Sequence, residues 1–149
     1  MAAIERSIFG LAAIFFAFGT PLRADRAADL RSQISHIATA LTAGNAADAM
    51  APFDSSFADS EQLSRYFQGL AVYQIDNEID VLDEQDTENA ATLTVSWSLT
   101  LTDRVTGATQ RRNAEIKVRF LEKNGKWKIV DFSPIGIFQP EWKRPATTE

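Results

Sequence analysis

The 149-residue chain contains no cysteine and one histidine, His36. The first absence removes thiol nucleophiles, disulfides and thiolate metal sites together. The second leaves too little imidazole for a zinc centre or a Ser-His-Asp triad. Basic side chains are in the minority, 15 Lys and Arg against 20 Asp and Glu, for a net charge of −5. A phosphate-binding surface carries a basic excess, so nucleic acid is not an expected partner. There is no glycine-rich phosphate loop, no Gly-x-Ser-x-Gly elbow and no His-Glu-x-x-His helix. Neither a metal nor a cofactor is expected. What remains is 45% hydrophobic and 23% charged, ordinary values for one folded soluble domain.

The longest apolar run, residues 8–18, follows Arg6 and is broken by Gly19, Thr20 and Pro21. It is far shorter than the roughly 20 residues needed to span a bilayer. Its length and flanks match the apolar region of a secretory signal peptide, with Ala24 as the last residue removed. Glu5 and the large Leu22 are blemishes in that pattern, and an N-terminal helix belonging to the domain is the other reading. With no cysteine after the run, a lipoprotein anchor is excluded. The expected organisation is a signal peptide over residues 1–24, a domain over 25–138 and a loose tail over 139–149. The mature protein would be periplasmic or secreted from a bacterium, without a membrane attachment.

Downstream of Ala24 the pattern is helical, then β. Leu30, Ile34, Ile37 and Leu41 recur at helical spacing and predict a helix over about 25–43. Gly44 sits where a left-handed residue ends such a helix. Asn45 can cap a short second helix over 46–50, with Asp48 in its first turn, and Pro52 stops it. A third helix fits 61–71, capped by Asp59 or Ser60, with Leu63, Phe67 and Leu70 on one face and Tyr66 at its edge. His36 lies off the apolar stripe of the first helix and is expected in water.

From Val72 the period becomes two. Tyr73, Ile75, Asn77, Ile79 and Val81 alternate with acidic and amide residues, and Leu93, Val95, Trp97, Leu99 and Leu101 alternate with Thr and Ser. Ala114, Ile116, Val118 and Phe120 form a third run, and Asn124-Gly125 predicts a tight hairpin into a fourth strand over 126–132. Pro134 and Gly136 then suggest a kink before Ile137 and Phe138. Four strands in a meander, covered on their apolar face by three helices, make an α+β two-layer domain.

This order of elements, with the turn Leu41-Thr42-Ala43-Gly44-Asn45, the run Pro52-Phe53-Asp54 and the final Gly125-Lys126-Trp127-Lys128-Ile129-Val130 strand, resembles the NTF2-like superfamily. Within it the chain looks most like exported SnoaL-like or ketosteroid-isomerase-like proteins of unassigned function. The resemblance covers about 25–138. It implies a cone in which a curved antiparallel sheet wraps the helices, often around a cavity. Members include isomerases, dehydratases, hydrolases, ligand binders and interaction modules, so the fold leaves the chemistry open.

Candidate chemistry must lie on the concave face, where a buried polar group needs a reason. Asn77 interrupts an apolar parity. Asp131 shares parity with Trp127 and Ile129, although Val130 and Phe132 make the opposite parity apolar too. Tyr66 and Tyr73 could bring hydroxyls to the mouth, Trp97 would line the interior, and Asp54 lies where the second helix ends. A carboxylate in such a pocket would have its pKa raised by desolvation, as a general base near neutral pH requires. Each also has a structural reading: Asn77 bonding a loop backbone, the tyrosines as core members. The first helix carries no tyrosine, so the oxyanion donor that ketosteroid isomerases place there is missing.

Two other groups read as solvated faces. Asp76, Glu78 and Asp80 begin like a calcium loop, but Val81 and Thr87 stand where its glycine and bidentate glutamate belong. Arg111, Arg112, Lys117 and Arg119 mostly decorate the outer face of the third strand. With a Thr/Ser ladder between them, that face is too polar for an obligate interface, and a monomer or weak homodimer is expected. The expected function is non-catalytic binding, in the cone, of a small mostly apolar molecule or a partner segment. The second reading is an isomerase, dehydratase or hydrolase using Asp131 or Asp54 as base with a tyrosine, and the third a dimeric interaction module.

Overall fold

Residues 25–140 are described by a computed structural model of the chain. They fall in two units, Met1–Ser32 and Gln33–Glu149. The expected signal peptide, residues 1–24, and the tail beyond Pro140 lie outside the described residues. In the first unit, residues 25–32 are helical and Leu30 is buried.

The second unit begins within the same helical run, α1, which spans 25–42. Its buried residues Ile34, Ile37 and Leu41 keep the predicted spacing. The ending follows from Gly44, whose φ of 74° is open to a residue without Cβ. The Asn45 N–H donates to Ala40 O at 2.9 Å and the Gly44 N–H to Leu41 O at 3.0 Å. These are the two crossed bonds of a Schellman motif. Asn45 then caps α2, Ala46–Ala49, by accepting from the Asp48 N–H at 3.0 Å. The third helix, α3, is Ser60–Leu70 and buries Leu63, Phe67 and Leu70. Asp59 occupies its N-cap position, but its side chain makes no capping bond.

Four antiparallel strands follow in the order β1-β2-β3-β4: Tyr73–Asp86, Ala90–Asp103, Thr109–Lys123 and Lys126–Ser133. The clearest alternation in the sequence gives the clearest burial. Leu93, Val95, Trp97 and Leu99 of β2 are fully buried, while the intervening Thr and Ser are half-buried on the other face. Asn124 and Gly125 turn β3 into β4 with φ of 53° and 77°, the two positive values a type I′ turn needs.

Two irregularities bend the sheet. Val81 pairs with Val95 and Asp83 with Thr94, so Leu82 is an extra residue in β1. Arg119 pairs with Asp131 and Phe120 with Ile129, so Val130 is an extra residue in β4. Each bulge curves its strand and exchanges inward for outward parity beyond it. The core therefore takes Trp127 and Ile129 before the second bulge and Phe132 after it.

Two hydrogen bonds tie α1 across the curved sheet. Gln33 Nε2 donates to Trp127 O on β4 at 2.8 Å, and Asn77 Nδ2 on β1 donates to Ala38 O at 3.1 Å. The free edge of β4 is covered by the segment before α3. Asp54 N–H donates to Ile129 O at 2.7 Å and Ile129 N–H to Pro52 O at 2.9 Å. After β4, residues 134–140 leave the sheet. They form a 3-10 turn, Gly136–Phe138, that returns to the interior and buries Ile137 and Phe138.

Candidate functional site

The interior is built from aromatic rings. Phe138 lies 5.3 Å from both Phe67 of α3 and Trp97 of β2 and 5.8 Å from Phe132 of β4, measured between ring centroids. Phe132 in turn meets Phe53 at 5.3 Å and Trp97 at 5.9 Å. Most of these contacts are edge-to-face, the arrangement the ring quadrupole favours. Trp97, Phe67, Phe132 and Phe138 are at most 1% exposed, so the interior around them is packed.

Of the side chains nominated from the sequence, the fold joins Asn77 and Trp97 by a hydrogen bond. The Trp97 Nε1–H donates to Asn77 Oδ1 at 2.9 Å. The Asn77 amide nitrogen donates to Ala38 O and to Thr42 Oγ1 at 3.1 and 3.2 Å. The side chain thus fastens α1 to β1 and satisfies the indole. The polar interruption of β1 has a structural explanation.

The tyrosines lie apart from that pair. The Tyr66 hydroxyl accepts from Gln62 Nε2, one turn earlier on α3, at 2.8 Å. Tyr73 is half-buried at the start of β1, and its carbonyl accepts from Arg104 Nη2 at 3.2 Å.

The carboxylates differ from expectation. Asp131 does not point inward: it is exposed on the outer face, and its Oδ1 accepts from the Phe132 N–H at 3.0 Å. Its parity with Trp127 and Ile129 is undone by Val130, the extra residue of the bulge. Asp54 is only 15% exposed, and one of its oxygens is heavily engaged. Its Oδ2 accepts from Lys123 Nζ at 2.8 Å, from Ser56 Oγ at 2.5 Å and from the Ser56 N–H at 3.1 Å. The Lys123 bond first, and then the Ser56 bonds, hold its pKa well below the usual carboxylate range. A base for neutral pH needs the opposite shift.

The Asp54 contacts predict a pH dependence. A carboxylate with a depressed folded-state pKa adds stability above its unfolded value, about 3.9, and loses it as pH falls through the folded value. The thermal stability of the native chain should therefore fall on acidification below about pH 4, and Asp54→Asn should flatten that acid limb. An acid limb of the same steepness in Asp54→Asn would show that other carboxylates carry it.

Arg112 is the second residue that sequence reading misplaces. Its basic neighbours put it on the outer face, but it is 1% exposed and points inward. Its parity with Ala114, Ile116, Val118 and Phe120 is the available signal. Nη1 donates to Ile137 O and Gln139 O, both at 2.6 Å, and Nη2 to Gln110 Oε1 at 3.0 Å and Pro140 O at 3.3 Å. Burial pulls its pKa below the usual guanidinium value, and nearby Tyr73 acts in the other direction. Gln139 and Pro140, expected at the start of a loose tail, are thus held by a buried cation. Arg111, Lys117 and Arg119 are exposed as expected, as are Asp76, Glu78 and Asp80 on β1.

His36 is exposed and bridges helices, with Nε2 at 3.1 Å from Asp48 O and 3.2 Å from Asp48 Oδ1. The described clefts open to solvent. One of about 390 Å³ lies beside Asn77, Ala38 and Thr42. Another of about 430 Å³ runs from Met50 and Asp54 along α3. A third of about 800 Å³ sits at the β1–β2 hairpin beside Asp86 and Arg119.

No family model and no curated protein matches the sequence. Solved structures do. A Mycobacterium tuberculosis protein of unknown function, Rv3472 in a singly substituted form, superposes with a TM-score of 0.64 at 13% identity over 75% of this chain and 72% of that one. A ketosteroid isomerase-like protein from Erwinia carotovora atroseptica gives a TM-score of 0.59 at 13% identity, covering 72% of this chain and 96% of that one. An NTF2-like superfamily protein from Salmonella enterica serovar Typhimurium gives 0.58 at 14% identity, covering 70% and 87%. The helices followed by a curved four-stranded antiparallel sheet, together with these neighbours, give the chain an NTF2-like fold.

Proposed function

We propose that this protein is an exported, non-catalytic binding domain that takes up a small, mostly apolar molecule in place of part of its aromatic packing. The observation that carries the reading is the disposition of polar groups around the aromatic interior. Asn77 and Arg112 point inward but are engaged with the fold itself, while Asp54 is paired with Lys123 and Asp131 is in water. An apolar interior with few convergent polar groups suits binding more than proton transfer. The enzyme reading requires an inward carboxylate, and neither nominated residue supplies one.

The test is a thermal-shift screen of small aromatic and aliphatic compounds against the full chain. Hits should bind equally well to Asp131→Asn, whose unfolding free energy should stay within about 0.5 kcal/mol of the parent because the site is exposed. A turnover abolished by Asp131→Asn or Asn77→Ala in folded protein would overturn the reading. Export rests on residues 8–18 and their flanks. A fusion of 1–24 to a reporter active only outside the cytoplasm should be active, and a silent fusion counts against export. The polar outer face supports a monomer or weak homodimer, which sedimentation would register as a mass that rises little with concentration.

A further inference from the structure

Residues 134–140 form a strap that leaves the sheet and re-enters the interior. Its own main-chain hydrogen bonds are local, from the Phe138 N–H to Ile135 O at 3.0 Å and from the Gln139 N–H to Gly136 O at 3.1 Å. Among the described residues no strand ladder includes it, because β4 ends at Ser133. Three things seat it: the Phe138 ring among Phe67, Trp97 and Phe132, the buried Ile137 side chain, and the Arg112 fork under its carbonyls. Lifting the strap would leave the sheet pairing intact. It would also uncover an aromatic box with a guanidinium in its wall.

We propose that the strap occupies a ligand site, and that the ligand class is an arylalkyl monocarboxylate whose carboxylate takes the strap's carbonyl positions on Arg112 while its ring replaces Phe138. This rests on the binding reading above and specifies its ligand. Guanidinium presents parallel N–H groups that match the two oxygens of a carboxylate, and such charge-assisted pairs are stronger than bonds to neutral carbonyls. One oxygen would take the place of Gln139 O on Nη1 and the other that of Pro140 O on Nη2, with Gln110 retained as a neighbour. The strap thus presents a phenyl ring at Phe138 and carbonyl acceptors at Gln139 and Pro140, the two kinds of group that such a ligand combines.

A closed strap reduces the apparent affinity by the fraction of molecules that are open. Any change that lifts it without touching the box should therefore tighten binding. Gly69 of α3 provides that change, because a Cβ there would collide with the Pro140 ring. Gly69→Ala displaces the end of the strap without substituting Arg112 or any of the aromatic rings. Phe138→Ala empties the ring position directly.

The probes are hydrocinnamate and its neutral amide, titrated into the full chain and followed by calorimetry and by tryptophan fluorescence. Hydrocinnamate should bind Gly69→Ala and Phe138→Ala about tenfold tighter than the parent, and the amide about tenfold weaker than the acid in each variant. Arg112→Met in the Phe138→Ala background should erase the difference between acid and amide. Equal binding of acid and amide to the folded variants would overturn the carboxylate site while leaving an apolar binder standing. Tight binding that is insensitive to both strap variants would place the ligand elsewhere and overturn the strap's role. Binding of neither probe to any folded variant would overturn the site, and failure of the wider apolar screen as well would remove the binding reading. Should Phe138→Ala not fold, Gly69→Ala carries the same comparison.

Discussion

Trp97→Ala should be the most damaging single substitution in the interior. The indole is fully buried, touches Phe132 and Phe138 edge-on, and donates its N–H to Asn77 Oδ1. Large-to-small changes of a buried tryptophan cost about 3–5 kcal/mol, through lost burial plus the cavity left behind. A small domain has only about 5–15 kcal/mol to lose, so the denaturant midpoint should fall steeply. Trp97→Phe separates packing from hydrogen bonding. It keeps a ring but leaves Asn77 Oδ1 without its donor, a loss of about 1–3 kcal/mol. A cycle with Asn77→Ala should show coupling between the two sites, because their bond disappears in either single variant. Additive losses would mean that the indole contributes by volume alone.

The same pair shows how far the sequence can be read. Strict alternation in β2 announces which residues are inward, because a period of two admits one solution when one parity is wholly apolar. The Gly44 turn and the Asn124-Gly125 hairpin are legible for an equally local reason: each needs a positive φ that few residues adopt. Asn77 is identifiable as an anomaly, but not its partners, which lie 20 residues away at Trp97 and 39 away at Ala38.

Asp131 fails for a definite physical cause. One extra residue, Val130, reverses the facing of everything after it. Nothing in the composition of Trp127 to Phe132 reports that insertion, since each parity there carries two apolar residues and one charged one. Arg112 fails differently. Its parity is right for the interior, and its charge argues for the surface. Residue type prevails over position in such a reading, because buried arginines are rare unless something receives their protons. The acceptors, three main-chain carbonyls from residues 137–140, have no sequence signature. The candidate site is therefore less legible than the fold, because it depends on where a non-repetitive segment returns.

Arg112→Met tests that return. The change preserves most of the side chain's length and apolar stem, so the lost function is the fork of donors. Hydrogen bonds to a charged donor contribute about 1.5–3 kcal/mol, and a buried carbonyl left without a donor costs about 1–3. The variant no longer carries the desolvation cost of a buried guanidinium, and the carbonyls of exposed Gln139 and half-buried Pro140 can find water. The net expectation is a loss of about 2–3 kcal/mol, arising mainly at Ile137 O. Its distribution matters more than its size. Amide exchange at Phe138 and Gln139 should quicken well before the β2 and β3 amides respond, because the strap holds only local bonds of its own. Arg112→Lys should fall between the two, since one ammonium cannot reproduce a fork that reaches Ile137, Gln139 and Pro140 together. If exchange rises equally across strap and sheet, the strap opens only when the domain unfolds, and Arg112 is a core brace. If it rises in the strap alone, the arginine is the latch on a segment that can leave while the sheet stays folded.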